Sequence, residues 1–399
     1  MKIGILTGGG DVPPLNTVIN RIRERAVESG NELIGFVNGW DGVLKRKYID
    51  LNKYENFSAI GGTFLKSSRI NLLSEPNGIE SANAVVKELG LDGLVIIGGD
   101  DTLSNAYYIE NCPCVLISKT IDNDLGFINE EEKILNPEGV INYFTLGYPT
   151  AANKIASYAS IDEGLRTTAY SHERIIILES MGMHSGWLAL ASGYGDPDFI
   201  IIPEFPLDYD AFCERLVALY QKQKHAIVVI AEGAKFNNDK YIQADYGESD
   251  HFNNPRFGGS SFALRDRLKK DLKKNFDTRN VNAVNPSYLY RSGMPNALDI
   301  EIAEKIANLS FQMLVNRQVK DPVFMSVSLV GNEFVPKALP LSFFQQTEGG
   351  RFPKRQINKG FYDQQNYKLT SNGYSYFRNI IDKTTVDNFN KKSKENYHY

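Results

Sequence analysis

Leu94-Val95-Ile96-Ile97-Gly98-Gly99-Asp100-Asp101-Thr102 is an apolar run of strand length that ends on two glycines and two adjacent carboxylates. Glycines after a strand let backbone N–H groups approach phosphate oxygens, and a carboxylate beside them can hold the magnesium ion that phosphate carries in. A second strand end repeats the theme. Val115-Leu116-Ile117 leads into Lys119-Thr120-Ile121-Asp122-Asn123-Asp124, which joins a cation, a hydroxyl and carboxylates. The two ends together point to phosphate chemistry.

Outward from there the same grammar recurs. Ile3 to Leu6 reads as a strand, Thr7-Gly8-Gly9-Gly10-Asp11 as a turn, and the following segment as a helix with Leu15, Val18, Ile19, Ile22, Ala26 and Val27 on one face. Glu32 to Val37 adds a strand. The pattern restarts at Arg174 to Glu179, which runs into Ser180-Met181-Gly182-Met183-His184-Ser185-Gly186, and continues through Phe199 to Ile202 and Ile227 to Ile230, the last ending in Ala231-Glu232-Gly233. Strand-length runs alternating with helix-period segments predict parallel sheets covered by helices, with ligands at the C-terminal strand ends. The fold class expected is α/β, with two Rossmann-like parallel-sheet domains and the active site in the cleft between them.

Composition narrows the ligand. The 399 residues, 42% hydrophobic and 23% charged, are enough for two domain cores. A net charge of −4 argues against a nucleic-acid partner, so the phosphate ligand is small. Three cysteines build no disulfide framework, and Cys112 and Cys114, flanking Pro113, lack further zinc ligands, so they read as buried structural residues. No charged-then-apolar leader and no apolar run of membrane length is present, which makes the cytoplasm the expected location and leaves out a membrane partner. The turn at Gly8 to Gly10 has no P-loop lysine, and no GxGxxG fingerprint occurs. Gly61-Gly62-Thr63 with Lys66-Ser67-Ser68-Arg69 offers a third phosphate cradle.

Gly9-Gly10-Asp11, Gly61-Gly62-Thr63 with Ser68-Arg69, Gly98-Gly99-Asp100, Lys119 to Asp124, Ser171-His172-Glu173-Arg174, Met181-Gly182 and Glu232-Gly233 occur in the order found in phosphofructokinases, and the chain resembles that family over roughly residues 1 to 330. Pro286-Ser287-Tyr288-Leu289-Tyr290-Arg291, followed by Asn296-Ala297-Leu298-Asp299, is similar to the family's longer subgroup. The resemblance implies phosphoryl transfer to the 1-hydroxyl of fructose 6-phosphate, with Asp122 as base, Thr120 and Asp124 orienting it, and Lys119 and Arg69 neutralising charge on the phosphoryl group. It implies Mg2+ as cofactor at Asp100, and donor contacts from Gly9, Gly10, Gly99, Asp101, Thr102 and Lys119. Sugar-phosphate contacts are implied for Arg174, Met181, Gly182, Glu232, Tyr288 and Arg291, with Arg174 acting across a homodimer or homotetramer interface. The domains then divide as 1–155 for the donor, completed by part of 288–335, and 156–287 for the sugar phosphate, with part of 336–385. Residues 386–399 are expected to form a frayed tail.

Asp101 bears on the donor. Members that use ATP generally have glycine there and pyrophosphate-dependent members aspartate. The carboxylate adds bulk and charge where the α-phosphate of a nucleotide would sit. Two unit charges about 4 Å apart repel by roughly 4 kcal/mol at an effective dielectric near 20. Pyrophosphate is the donor expected. ATP as donor, another sugar or polyol as acceptor, and a non-catalytic regulatory paralogue are the alternatives. Three departures from the family pattern accompany the match: Met183 where arginine is usual, Pro14 in the first motif, and Gly147-Tyr148-Pro149-Thr150-Ala151. An acidic stretch from Asn129 to Gly139 lengthens the loop after Asp124.

Overall fold

In the computed structural model, which describes residues 1–125, 127–128, 140–243, 259–341, 352, 354–357 and 359–382, the apolar runs become strands buried on both faces. The acidic stretch 129–139 and the tail 386–399 lie outside the described residues. In chain order the strands are β1 (Lys2–Thr7), β2 (Glu32–Phe36), β3 (Tyr48–Asp50), β4 (Gly93–Gly98), β5 (Cys114–Ser118), β6 (Phe127–Ile128), β7 (Val140–Ile141), β8 (Ile175–Ser180), β9 (Phe199–Ile201), β10 (Ala226–Ala231), β11 (Val281–Val284), β12 (Val323–Val330), β13 (Glu333–Pro340), β14 (Tyr362–Asp363) and β15 (Lys368–Leu369).

The first sheet has seven strands in the order β13-β12-β5-β4-β1-β2-β3, parallel from β12 to β2 and closed at each edge by an antiparallel strand. The second is a four-stranded parallel sheet, β11-β8-β10-β9. The α/β architecture with two parallel sheets expected from the sequence is therefore present. The β12–β13 hairpin is not among the strands expected. It carries the first sheet one parallel strand beyond β5, with Phe324 opposite Leu116 and Met325 opposite Ile117.

Packing ties the two sheets together. One continuous apolar cluster joins Ile5, Val95, Val115 and Ile117 of the first sheet to Ile176, Leu178, Ile200 and Val229 of the second. The helices Leu15–Glu28 and Ala297–Val315 lie in the same cluster through Val18, Ile19, Ile22, Ile302, Ile306 and Phe311. Separate clusters cover the opposite face of each sheet. Burial on both faces is why these strands read as near-continuous apolar runs instead of alternating ones.

The last described stretch of chain returns to the first sheet through Arg355. Its guanidinium is 3% exposed and lies 4.7 Å over the Trp187 ring. It donates to the carbonyls of Asn123 at 2.9 and 3.1 Å, Asn142 at 2.6 Å and Tyr143 at 3.3 Å. An apolar replacement leaves the Asn123 and Asn142 carbonyls unpaired, while Tyr143 O keeps the Tyr376 hydroxyl, and each such loss costs about 1–3 kcal/mol. Arg355→Met is therefore expected to lower unfolding free energy by about 3 kcal/mol or more in urea titration, and a loss under about 1 kcal/mol would contradict this account of the anchor.

Candidate active site

Strand register brings the sequence motifs together. Thr7 of β1 pairs with Ile97 of β4, and Gly98 of β4 with Ser118 of β5, so the three strands stop at one level. The turns that follow share one rim. Gly8 N–H donates to Ile97 O at 2.9 Å and Gly9 N–H to Ser68 O at 2.8 Å, while Ser67 Oγ donates to Gly9 O at 2.5 Å. The Gly61–Arg69 loop is thereby laid along the Gly8–Gly10 turn. Gly9 has φ +79°, a conformation that favours glycine, and a Cβ there would lie 2.8 Å from Lys119 Nζ. Lys119 Nζ donates to Gly10 O. Thr102 fills the space between the first two turns, since a Cβ added at Gly98 would meet its Oγ1 at 3.0 Å.

The loop after β5 is fixed from several sides. Asp122 N–H donates to Thr120 Oγ1 at 3.1 Å, so the threonine hydroxyl sets the start of the turn. Thr145 Oγ1 donates to Thr120 O at 2.6 Å, and Ser185 Oγ, from beyond β8, to Asp122 O at 3.0 Å. Asn123 takes φ +53°, and its Oδ1 accepts from Thr145 N–H at 3.1 Å. These bonds hold the loop so that Asp122 and Asp124 both reach one cavity of about 150 Å³, lined by Gly9, Gly10, Arg69, Gly99 to Thr102, Lys119, Thr120, Asp122, Asp124, Arg291 and Lys354. A larger hollow of about 580 Å³ beside the helix Tyr148–Ala159 shares no lining residue with it. The Lys154 ammonium in that hollow is committed to the carbonyls of Leu289 and Ser292.

Charge crowding in the small cavity shifts its groups. Burial, together with Arg291 and Arg69, pushes Lys119 down to about 7, with Asp11 and Asp122 opposing. Burial and the neighbouring Asp124 raise the Asp122 carboxyl above the usual carboxylate range. Asp124, although buried, is held below that range by Lys354. The Lys354 ammonium lies 2.8 Å from Asp124 Oδ2 and 3.2 Å from Asp100 Oδ2, and these carboxylates outweigh the burial that works against its charge. Two adjacent carboxyls are thus driven apart, Asp122 toward holding a proton and Asp124 toward permanent charge. His184, close enough to feel Asp122 and Asp124, is held low by burial and by Lys354.

At the second sheet, Glu179 pairs with Ile230 and Ser180 with Ala231, which sets Met181-Gly182 beside Glu232-Gly233. Gly182 N–H donates to Glu232 Oε1 at 3.0 Å. Burial, then Asp122 and Glu179, raise Glu232 to about 8. Arg291 lies within the cavity near Gly10, where an added Cβ would be 2.5 Å from its Nη1. Tyr288, three residues earlier, is 74% exposed and outside the cavity lining. Arg174 is not brought to the cavity. It precedes β8, whereas Met181 follows it, and seven steps along the strand at about 3.3 Å each separate the two by roughly 23 Å. Arg174 Nη1 instead donates to Thr168 Oγ1 at 2.8 Å.

Lys354 is the cavity residue that sequence reasoning missed. It lies past the last recognisable motif, and its only signal is the basic character of Arg351-Phe352-Pro353-Lys354-Arg355. A metal finds a partial site. Among the described residues no group of three His, Cys, Asp or Glu could hold an ion. Magnesium is commonly bound by one or two carboxylates with the rest of its shell from water and substrate phosphates, and Asp100 fits that use.

A family model described as Phosphofructokinase matches residues 2–314. The chain belongs to the phosphofructokinase family. Named relatives divide by donor. A pyrophosphate--fructose 6-phosphate 1-phosphotransferase of Dictyoglomus thermophilum is 36% identical over 347 residues, 86% of this chain and 93% of that protein. An ATP-dependent 6-phosphofructokinase 3 of Streptomyces coelicolor is 37% identical over 312 residues, 76% of this chain and 85% of that protein. A pyrophosphate-dependent phosphofructokinase from Nitrosospira multiformis shares the fold with a TM-score of 0.77 at 18% identity, covering 96% of this chain and 92% of that one.

Glu232 gives this edge of the site a pH response. It is mostly protonated near pH 7 and gains charge as pH rises through about 8. Added negative charge opposes an anionic ligand. Calorimetric titration with fructose 6-phosphate is expected to show affinity falling several-fold between pH 7 and 9, and Glu232→Gln, which keeps an acceptor for Gly182 N–H, should flatten that fall. An unchanged slope in the variant would exclude Glu232 as its source.

Proposed function

We propose that the protein catalyses magnesium-dependent, reversible phosphoryl transfer from pyrophosphate to the 1-hydroxyl of fructose 6-phosphate. The observation that carries the donor choice is Asp101 on the wall of a cavity of about 150 Å³. Pockets for drug-sized ligands run from about 300 Å³ upward. A second carboxylate beside Asp100 narrows and charges the donor end, which suits two linked phosphates better than a nucleotide.

In this reading Asp122 takes the proton from the 1-hydroxyl as its oxygen attacks phosphorus. The bridging P–O bond of pyrophosphate breaks and orthophosphate leaves. Thr120 holds the turn that aims Asp122, and Asp124 stays ionised against Lys354. Lys119, poised near neutrality, gains charge when the anionic donor arrives, and Arg69 and Arg291 neutralise the phosphoryl oxygens. Gly9, Gly10 and Gly99 line the donor, with the backbone N–H groups of Gly10 and Gly99 serving it and Thr102 spacing their turns. Magnesium held through Asp100 would supply further positive charge to the phosphate oxygens. Met181, Gly182, Glu232 and Tyr288 receive the sugar phosphate.

Arg174, at the far end of its strand, suits the site of a second copy, which makes a homo-oligomer the working form. Cys112, Cys114 and Cys213 are buried free thiols, and no helix among the described residues is long and apolar enough to cross a membrane; both suit a reducing cytoplasm. ATP as donor is the second reading, carried by the relatives named for it.

Purified protein supplied with Mg2+ and fructose 6-phosphate is expected to turn over with pyrophosphate at least tenfold more efficiently than with ATP, and Asp101→Gly should narrow that ratio. A wild-type preference for ATP contradicts the donor assignment. Separately, Asp122→Asn is expected to lower kcat by 10³-fold or more, consistent with loss of the base. Subunits of Asp122→Asn and Arg174→Ala, each weak alone, should regain part of the activity when dissociated and mixed. Failure of the mixture to exceed its components would place Arg174 in its own subunit's chemistry or outside it.

A further inference from the structure

We propose that Lys354 is a catalytic residue whose ammonium contacts the phosphoryl group in transit between donor and sugar hydroxyl. The inference rests on the phosphoryl-transfer reading above and adds a group from outside the span that the family model matches, which ends at residue 314.

Charge layout in the cavity leads to it. Four lining carboxylates, Asp100, Asp101, Asp122 and Asp124, face four cations, Arg69, Lys119, Arg291 and Lys354. Lys119 and Arg291 gather at the glycine turn, against Gly10. Lys354 stands on the other wall, between Asp100 and Asp124 and alongside Asp122. A phosphoryl group moving toward Asp122 passes among Asp100, Asp122 and Asp124, where Arg291, which also acts on Asp122, offsets only part of the charge of three carboxylates. Lys354 meets it there. An ammonium has three donors, and the two ion pairs occupy two of them. The side chain lines the cavity, and in this proposal the third N–H serves the phosphoryl group.

The support is rigid. Lys354 forms a bridge with Leu125, directly after the Asp122–Asp124 turn, and the next residue, Arg355, donates its backbone N–H to Asp124 O at 2.7 Å. The segment is thus tied to the loop that carries the base. A lysine needed only as surface charge has no reason to be mounted on that loop.

Lys354→Met and Lys354→Arg would be compared with wild type in steady-state assays with both pyrophosphate and ATP. Fructose 6-phosphate binding would be measured by calorimetry and fold by circular dichroism. Expected for Lys354→Met is a kcat at least 100-fold lower, a fructose 6-phosphate Kd within threefold of wild type and an unchanged spectrum, with Lys354→Arg recovering tenfold or more of the lost kcat. The comparison holds with whichever donor the wild type prefers, so an ATP preference would overturn the donor assignment and leave Lys354 standing. A Lys354→Met kcat within threefold of wild type, a loss shared equally by sugar binding, no recovery with arginine, or an unfolded variant would each overturn the role proposed for the lysine. Absence of turnover in wild type with either donor would overturn both readings.

Discussion

Four carboxylates and four cations confined to a cavity of about 150 Å³ are the constraint from which the rest of the molecule follows. Opposite charges this close interact strongly only if they are partly withdrawn from water, and withdrawal is costly unless every charge has a counterpart. The fold meets both demands by ending three parallel strands at one level. Backbone rims of glycine then let side chains approach that would otherwise be kept apart by a Cβ, as at Gly9 and Lys119. The shifted carboxyl and ammonium groups are the visible result of that crowding.

Much of this was legible in the linear chain. Glycines and carboxylates directly after apolar runs mark strand ends, and β-register converts strand ends distant in sequence into neighbours. Asp100, Lys119 and Asp122 were readable for that reason. What was not readable came from two sources. The β12–β13 hairpin has strand character, but nothing in its own residues states that it extends the first sheet beside β5. Lys354 and Arg355 lie in a stretch with no helical or strand period, so only tertiary contact with the Asp122–Asp124 turn reveals their use. Arg291 shows a third limit: its motif is plain, yet its position against Gly10 depends on how a loop closes over the rim.

The two sheets contribute unequally. The first supplies the four cavity carboxylates and Lys119, through the ends of β4 and β5, while Arg69, Arg291 and Lys354 come from other segments. The second supplies shape and the Glu232 carboxyl, which burial raises to about 8, through the paired ends of β8 and β10 and the Gly182–Glu232 hydrogen bond. A continuous apolar cluster between them removes freedom to slide. Ser185 Oγ, from the second sheet's side, bonds the Asp122 carbonyl, so Asp122 is referenced to both halves at once.

Because Arg355 locks the carbonyls of Asn123, Asn142 and Tyr143, the turn after β5 takes its shape from a segment more than 200 residues further along the chain. The strands of both large sheets all precede residue 341, so the sheets can form before this brace docks. Completing the cavity wall is therefore a separate event from building the sheets, and it waits on the docking of 354–357.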